Sequence, residues 1–151
     1  MTQEDKDLLL RDLCARLPYG VKMQKFNEQN VFVDLYAINL NNYTIDFYTY
    51  KGKSLTIANT SKLARYGILL YKPCLFPMSS MTEEQLYELR EMFGFEIEFS
   101  DSSIELSTFH HNCLGYLEMV SMFDWFNKNH FDYRGLIPKG LAIDATNKNI
   151  Y

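Results

Sequence analysis

Apolar residues recur at helical spacing in the first part of the chain. Over residues 2–17, four leucines follow the spacing that brings side chains to one face of a helix: Leu9, Leu10, Leu13 and Leu17. Thr2 precedes this stretch and can accept backbone N–H groups of the first turn, whereas Pro18 and Gly20 interrupt the pattern. The pattern therefore predicts an amphipathic helix over residues 2–17.

Two later stretches also have helical patterns. Residues 82–93 begin with Thr82 and Gln85, spaced as in a capping box, and end before Gly94, which favours the left-handed backbone that closes a helix. Residues 110–129 are apolar around most of a helix circumference. We expect this third helix to be covered on most of its sides.

Strand patterns occupy much of the remaining chain. Several stretches alternate or are rich in β-branched and aromatic residues, and Asn41-Asn42 suits a tight turn between two of them: residues 21–26, 31–40, 43–50 and 54–58. They predict an antiparallel meander of three or four strands. Residues 95–99 and 104–108 predict a second hairpin. Residues 59–81 show no clear period, and Pro73 and Pro77 are expected to interrupt any element there.

Together these elements predict a fold of the α+β class. We expect residues 1–151 to form one domain, in which an antiparallel sheet made of the meander and extended by the hairpin packs against three helices. The chain has 151 residues, of which 47% are hydrophobic and 23% charged. Such a composition is typical of a folded globular protein with a core of its own.

The cysteines and the chain start bear on the compartment. Three cysteines, Cys14, Cys74 and Cys113, are an odd number without a CxxC pair, which favours a reducing compartment over a disulfide framework. The first residues are charged, unlike a signal peptide, and no run reaches the roughly 18 apolar residues of a membrane span. We expect a cytoplasmic protein that does not bind membranes.

Charge is segregated along the chain, whose net charge is −4. Residues 51–72 contain five basic and no acidic residues, whereas residues 83–105 contain eight acidic residues and one basic one. The two segments can be solvated surfaces that face each other or the solvent. Alternatively, the basic segment binds nucleic-acid phosphates while nearby tyrosines stack on bases, through Lys51, Lys53, Lys62, Arg65 and Lys72. The acidic segment could instead meet a basic partner.

One polar cluster could carry chemistry. In an extended segment, His130, Asp132 and Arg134 would lie on one face, where an imidazole and a carboxylate can form a base and its orienting group and a guanidinium can hold an anion. This arrangement suits a hydrolase or transferase. The alternative is a polar helix exit, in which Asp132 and Arg134 satisfy backbone groups and each other. Glycine-rich phosphate loops and the HExxH and GxSxG motifs are missing from the sequence.

A second cluster contains potential metal ligands. His110 and His111 precede Cys113, but adjacent histidines on a helix point about 100° apart and the sequence contains no second ligand pair. We therefore expect neither a metal nor another cofactor.

The third helix and the segment that follows it suggest where packing and binding occur. The apolar helix surface formed by Met119, Met122, Trp125 and Phe126 is either core or a site for a protein partner, and homodimerisation would also cover it. After the helix, Gly135 and Gly140 bracket an apolar stretch. We expect that stretch to dock on the core through Leu136, Ile137, Leu141 and Ile143.

Two sequence segments resemble a known family. These are PMSSMTEEQ at residues 77–85 and NHFDYRGLIPKGLAIDA at residues 129–145. Both resemble segments of a family of small uncharacterised proteins encoded in bacteriophages and mobile elements of gut anaerobic bacteria, in which a glutamate often stands at the position of Pro138. The resemblance implies a small accessory protein and provides no activity, cofactor or catalytic residue.

These patterns lead to one main hypothesis and two alternatives. The main hypothesis is a non-enzymatic accessory protein that binds another protein or itself. The first alternative is a nucleic-acid-associated protein that uses residues 51–72. The second is a hydrolase or transferase built around His130 and Asp132.

Overall fold

The computed structural model describes residues 1–25, 28, 31–39, 44–49, 71–99, 104–108 and 115–151, and for residues 39, 44–49, 95–99 and 104–108 it describes the backbone. The fold belongs to the α+β class that the sequence predicts. In this part of the chain the helices are α1 (Gln3–Arg16), α2 (Glu83–Phe93) and α3 (Tyr116–Lys128). The strands are β1 (Lys22–Lys25), β2 (Phe32–Asn39), β3 (Thr44–Thr49), β4 (Tyr71–Leu75), β5 (Phe95–Phe99), β6 (Ile104–Thr108) and β7 (Ile143–Asp144).

The caps of α1 and α2 confirm the sequence prediction. The Thr2 hydroxyl accepts the Asp5 N–H at 3.1 Å, and the Asp5 carboxylate accepts the Thr2 N–H at 2.9 Å. Thr82 and Gln85 form the same reciprocal pair at the start of α2, which ends at Gly94 with a left-handed φ of 68°. These side chains satisfy N–H groups that have no partner inside the helix. Across the described residues, no helix combines the length and the hydropathy that a membrane span requires.

Helix α3 is shorter than the sequence predicts. It begins at Tyr116 rather than near residue 110, because the Glu118 carboxylate accepts the Gly115 N–H at 2.7 Å and closes the first turn there. Residues 109–114 lie outside the described part of the chain.

The main sheet has the strand order β3-β2-β1-β4-β7. The meander of β1, β2 and β3 is antiparallel, as the sequence predicts, and β4 also pairs antiparallel with β1. The β4–β7 pair is parallel. The predicted turn at Asn41-Asn42 and the predicted strand at residues 54–58 lie outside the described residues.

The sequence prediction is wrong at Pro73. This proline does not interrupt the chain's regular structure but lies inside β4, opposite Met23 of β1. On the other side of β4, the short strand β7 pairs with Cys74 and Leu75 and stops before Pro73. A proline has no N–H to donate and is tolerated in a strand where one side lacks a partner, and among the described residues β7 leaves one side of β4 without a partner at this position.

The predicted hairpin forms, but it does not extend the main sheet. Strands β5 and β6 pair antiparallel from Phe95 opposite Thr108 to Phe99 opposite Ile104, and they constitute a separate two-stranded sheet. A two-stranded ladder is marginally stable by itself. It follows α2 directly, and α2 and β5 contact each other.

The described residues bury two apolar clusters. The first joins α1 to the main sheet and to the segment after α3: Leu9, Leu13, Val21, Met23, Val33, Leu35, Leu75, Leu136, Leu141 and Ala142. The second joins α2, α3 and Phe131, which comes shortly after the end of α3. It comprises Leu89, Met122, Trp125, Phe126 and Phe131. The described residues thus form two adjacent cores, with α1 against one and α3 against the other.

The segment after α3 docks on the first core. Leu136 and Leu141 are buried as expected, whereas Ile137 and Ile143 are half-buried. Gly135 and Gly140 have left-handed φ values of 69° and 67°, which allow the chain to turn before and after this apolar stretch. The segment then adds β7 to the sheet.

Removing the Leu136 side chain should destabilise the whole protein. Leu136→Ala should lower the free energy of unfolding by about 3 kcal/mol, because it leaves a cavity at a fully buried position. The matched control is Leu117→Ala, the same deletion at a side chain that is 78% exposed, which should cost less than about 0.5 kcal/mol. Urea unfolding measures both. Equal stabilities of the two variants would contradict the docking of this segment.

Candidate functional site

The end of α3 brings the predicted polar residues together. The Phe131 N–H donates to the Phe126 carbonyl at 3.0 Å and the His130 N–H donates to the Asn127 carbonyl at 3.2 Å, which is the paired bonding of a Schellman motif. The position after the cap in this motif requires a left-handed backbone, and His130 occupies it with φ 59°. Non-glycine residues seldom adopt this conformation.

Asp132 organises the turn that follows. Its two carboxylate oxygens accept the N–H groups of Leu136 at 2.8 Å and Ile137 at 2.7 Å. Burial raises the pKa of the Asp132 carboxyl, and the two N–H donors oppose that rise. The Asp132 N–H donates to the Phe76 carbonyl at 2.8 Å, so this residue also links the turn to the end of β4.

A buried ion pair lies beneath this turn. Asp12 and Arg16 of α1 have fully buried side chains, and the Arg16 Nε donates to the Asp12 carboxylate at 2.7 Å. The Arg16 guanidinium also donates to the carbonyl of Phe131 at 2.7 Å and, at 3.5 Å, to that of Phe126. Arg16 therefore neutralises Asp12 and satisfies carbonyls at the end of α3 at the same time.

Arg134 and Tyr133 extend the polar network toward the surface. The Arg134 Nε lies 3.5 Å from the Asp12 Oδ1 and donates to the Tyr133 hydroxyl at 3.0 Å. That hydroxyl donates to the Asn127 side-chain oxygen at 3.1 Å. The guanidinium carbons of Arg16 and Arg134 lie 5.4 Å and 5.0 Å from the centre of the Tyr133 ring. Both cations thus lie within cation–π distance of the same ring.

His130 is buried against Tyr151. Their rings stack with centroids 3.9 Å apart and planes 17° from parallel, and the His130 Nδ1 is buried without a hydrogen-bond partner among the described residues. Burial, and then the nearby Arg16 and Lys22 charges, lower the pKa of His130 to about 4. The imidazole is therefore neutral at neutral pH.

Tyr151 joins β1 to β4 where their ladder ends. Its hydroxyl accepts the Lys22 N–H at 3.0 Å and donates to the Cys74 carbonyl at 2.8 Å. Burial raises the pKa of this hydroxyl, and it also raises the pKa of the Cys74 thiol to about 11. A thiol with so high a pKa is a poor nucleophile at neutral pH.

The predicted catalytic pair is not formed. His130, Asp132 and Arg134 lie in one turn, but both Asp132 oxygens accept backbone N–H groups and the Nδ1 of His130 has no partner within the described part of the chain. The three residues match the alternative of a polar helix exit, with one correction. Arg134 pairs with Asp12 rather than with Asp132.

The predicted partner surface on α3 is largely core. Met122, Trp125 and Phe126 are only 4%, 6% and 1% exposed, so that of the four predicted residues only Met119 is exposed. Met122, Trp125 and Phe126 are therefore not available to a partner, because they pack on Leu89 and Phe131 in the second core. The exposed apolar side chains of α3 are Met119 and four residues outside the predicted set: Tyr116, Leu117, Val120 and Phe123. We call these five the uncovered face of α3.

The remaining predicted sites fall mostly outside the described residues. This applies to Lys51, Lys53, Lys62 and Arg65 and to the candidate metal ligands His110, His111 and Cys113. Lys72 lies in β4 and is half-buried. Within the described ranges, no group of three or more histidine, cysteine, aspartate or glutamate side chains is placed to hold a metal ion.

Comparison with known proteins identified no relative: no protein-family model, no curated protein and no solved structure matches the chain.

Replacing Arg16 should be far more costly than replacing a surface arginine of the same helix. Arg16→Met should lower the free energy of unfolding by about 3–5 kcal/mol, because Asp12 would remain buried without its cation. Arg11→Met, at an exposed position of α1, is the matched control and should be nearly neutral. The double variant with Asp12→Leu should regain part of the loss. Urea denaturation curves for the four proteins provide the comparison, and an Arg16→Met protein as stable as the control would refute this role.

The buried imidazole should make stability depend on pH below neutrality. Because the pKa of His130 is about 4 in the folded protein and ordinarily 6.5, the unfolded chain binds more protons between these values, and stability falls as pH decreases through this window. The slope that this one group adds is at most about 1.4 kcal/mol per pH unit.

His130→Asn tests this pH dependence, since asparagine tolerates a left-handed backbone and does not titrate. The free energy of unfolding of the variant, measured from pH 7.5 to pH 4.5, should decrease less steeply than that of the wild type. The carboxylates titrate in both proteins, so their contributions cancel when the two unfolding free energies are subtracted. Parallel profiles would show that His130 is not held neutral by the fold.

Proposed function

We propose that this protein is a non-enzymatic accessory protein that binds another protein through the uncovered face of α3. One observation supports the proposal above all: five of the eight residues from 116 to 123 are apolar and exposed. Tyr116 and Leu117 are 80% and 78% exposed. Compact monomeric proteins seldom expose a contiguous patch of this kind, which is characteristic of interaction sites.

The polar residues of the described structure favour binding over catalysis. A catalytic acid or base must be able to reach a substrate and change its protonation state. Asp132, Arg16 and the Tyr151 hydroxyl instead have their polar atoms bound to backbone groups of the same chain. Their positions are explained by the stability of the fold.

The proposed setting is the cytoplasm of a bacterium that carries a phage or mobile element. It is supported by the resemblance of residues 77–85 and 129–145 to accessory proteins of such elements, and by the odd number of cysteines. The resemblance supports an accessory role, the cysteine number supports a reducing compartment, and neither identifies the partner.

The uncovered face should be required for partner capture. The double variant Tyr116→Ser, Val120→Ser should lose a protein that the wild type retains from nuclease-treated bacterial lysate, because it removes two large apolar contacts. Tyr87→Ser is the matched control, since Tyr87 is an exposed tyrosine on α2. The captured protein, once purified, should bind the wild type at least about tenfold more tightly than the double variant.

Three results would contradict or redirect this proposal. Capture that is equal for all variants would exclude the α3 face. Sedimentation of the wild type as a dimer and of the double variant as a monomer would assign the face to self-association. Material retained only when nuclease is omitted would favour nucleic acid.

The second candidate function is nucleic-acid association through residues 51–72. The observation in its favour is the presence of five basic and no acidic residues in this segment. DNA or RNA should then bind in about 50 mM salt and dissociate as the salt concentration rises. Lys53→Glu with Arg65→Glu should abolish that binding, and a wild type that binds neither nucleic acid at low salt would exclude this candidate.

A further inference from the structure

The main sheet has a notch that holds the Tyr151 side chain. The pairing of β1 with β4 ends at Met23 opposite Pro73, so the next antiparallel pair along the two strands is Lys22 opposite Cys74. The Tyr151 hydroxyl lies between the backbone groups of that pair. It accepts the Lys22 N–H at 3.0 Å and donates to the Cys74 carbonyl at 2.8 Å. The phenol is therefore inserted between the two strands at the end of their ladder.

The walls of the notch fit an aromatic ring. The His130 ring stacks on that of Tyr151 at 3.9 Å between centroids, and the Phe76 ring lies 5.7 Å away at an interplanar angle of 53°. The two walls are fixed to each other, because the Phe76 N–H donates to the His130 carbonyl at 2.9 Å. The notch thus provides a hydrogen-bond donor, an acceptor, a stacking face and a tilted aromatic wall, which together complement a phenol.

Residues 146–151 form a strap that carries Tyr151 into this notch. The first bonds of the strap are local: the Asp144 carboxylate accepts the Thr146 N–H at 2.9 Å, and the Lys148 N–H donates to the Ala145 carbonyl at 3.0 Å. Beyond Lys148, the bonds that tie the strap to other elements of the described chain come from the Tyr151 hydroxyl. Tyr151 is 43% exposed, so the notch is open to solvent on one side. Its ring can therefore leave without unfolding the sheet.

We propose that this notch is a binding site for small para-substituted phenols, and that the strap fills it with the ring of Tyr151. The hydroxyl of such a ligand would make the two backbone bonds that Tyr151 makes, and its ring would stack on His130. Tyrosine enters with its hydroxyl innermost, so a ligand in the same pose carries its substituent para to the hydroxyl, toward solvent. Binding of the ligand would displace Tyr151 and release the strap.

The test uses two small probes and four full-length proteins. The first probe, p-cresol, has the atoms of a tyrosine side chain, and the second, toluene, lacks the hydroxyl. The proteins are the wild type, Tyr151→Gly, Tyr151→Phe and the control Tyr87→Gly, which removes an exposed tyrosine of α2. Each probe is titrated while the backbone amide signal of Lys22 is followed by NMR, because this N–H points at the ligand's hydroxyl.

Tyr151→Gly should bind p-cresol saturably, with a dissociation constant on the order of millimolar for so small a ligand. Toluene should bind at least about tenfold more weakly, because it leaves the Lys22 N–H and the Cys74 carbonyl unpaired. The wild type should bind p-cresol at least about tenfold more weakly than Tyr151→Gly, since its tethered ring competes for the notch. Tyr87→Gly should behave as the wild type does.

Two further variants test the hydroxyl bonds and the stacking wall separately. Tyr151→Phe keeps the ring of the strap but loses both backbone bonds, so its affinity for p-cresol should lie between those of the wild type and Tyr151→Gly. This variant decides the question if Tyr151→Gly does not fold. Adding His130→Asn to Tyr151→Gly should weaken p-cresol binding by about threefold to tenfold, because the stacking face is lost.

Three results would overturn the proposal. No saturable change of the Lys22 signal in Tyr151→Gly or Tyr151→Phe would mean that the notch closes when Tyr151 leaves it. Equal affinities for p-cresol and toluene would mean that an apolar hollow takes any small ring. Equal p-cresol affinities of the wild type and Tyr151→Gly would place the ligand elsewhere on the protein.

Discussion

The charge of Arg16 is the constraint on which the arrangement of the two cores depends. A fully buried guanidinium is tolerated only if an anion and enough hydrogen-bond acceptors surround it. Asp12 supplies the anion from α1, and the carbonyls of Phe126 and Phe131 supply acceptors at the end of α3. Hydrogen bonds are short and directional. The bonds of Arg16 therefore fix α1, which packs on the first core, relative to the end of α3, which packs on the second core.

The same constraint explains why polar residues cluster after α3. Once the chain leaves the helix with His130 in a left-handed conformation, Phe131 can present its carbonyl to Arg16 while its side chain enters the second core. Asp132 then fixes the N–H groups of the next turn, which brings Leu136 into the first core. A turn that is buried between two cores needs charged and hydrogen-bonding side chains to satisfy its backbone groups. An active site uses the same residue types, so the sequence from His130 to Arg134 resembles a catalytic cluster.

Local features of this fold could be predicted from the sequence, whereas features set by distant contacts could not. The caps at Thr2 and Thr82 and the turn at Gly94 depend on neighbours within four residues. Strand β4, which contains Pro73, forms because it pairs with β1. Strand β7 forms because it pairs with β4, which lies some 70 residues earlier in the chain. The burial of Asp12 and Arg16 is not predicted from the sequence, because charged residues are normally exposed. Both nevertheless occupy the stripe of Leu9 and Leu13, and their i, i+4 spacing is a usable signal.

The uncovered face of α3 shows a related limit of sequence patterns. Apolar residues around a helix indicate that much of its circumference must be covered, but not which arc each neighbour covers. The second core takes the arc of Met122, Trp125 and Phe126, which pack with Leu89 and Phe131. Tyr116, Leu117 and Val120 lie roughly 120–160° from Met122 around the helix axis, and they are exposed. Among the described residues this arc stays exposed, and the proposed protein partner would cover it.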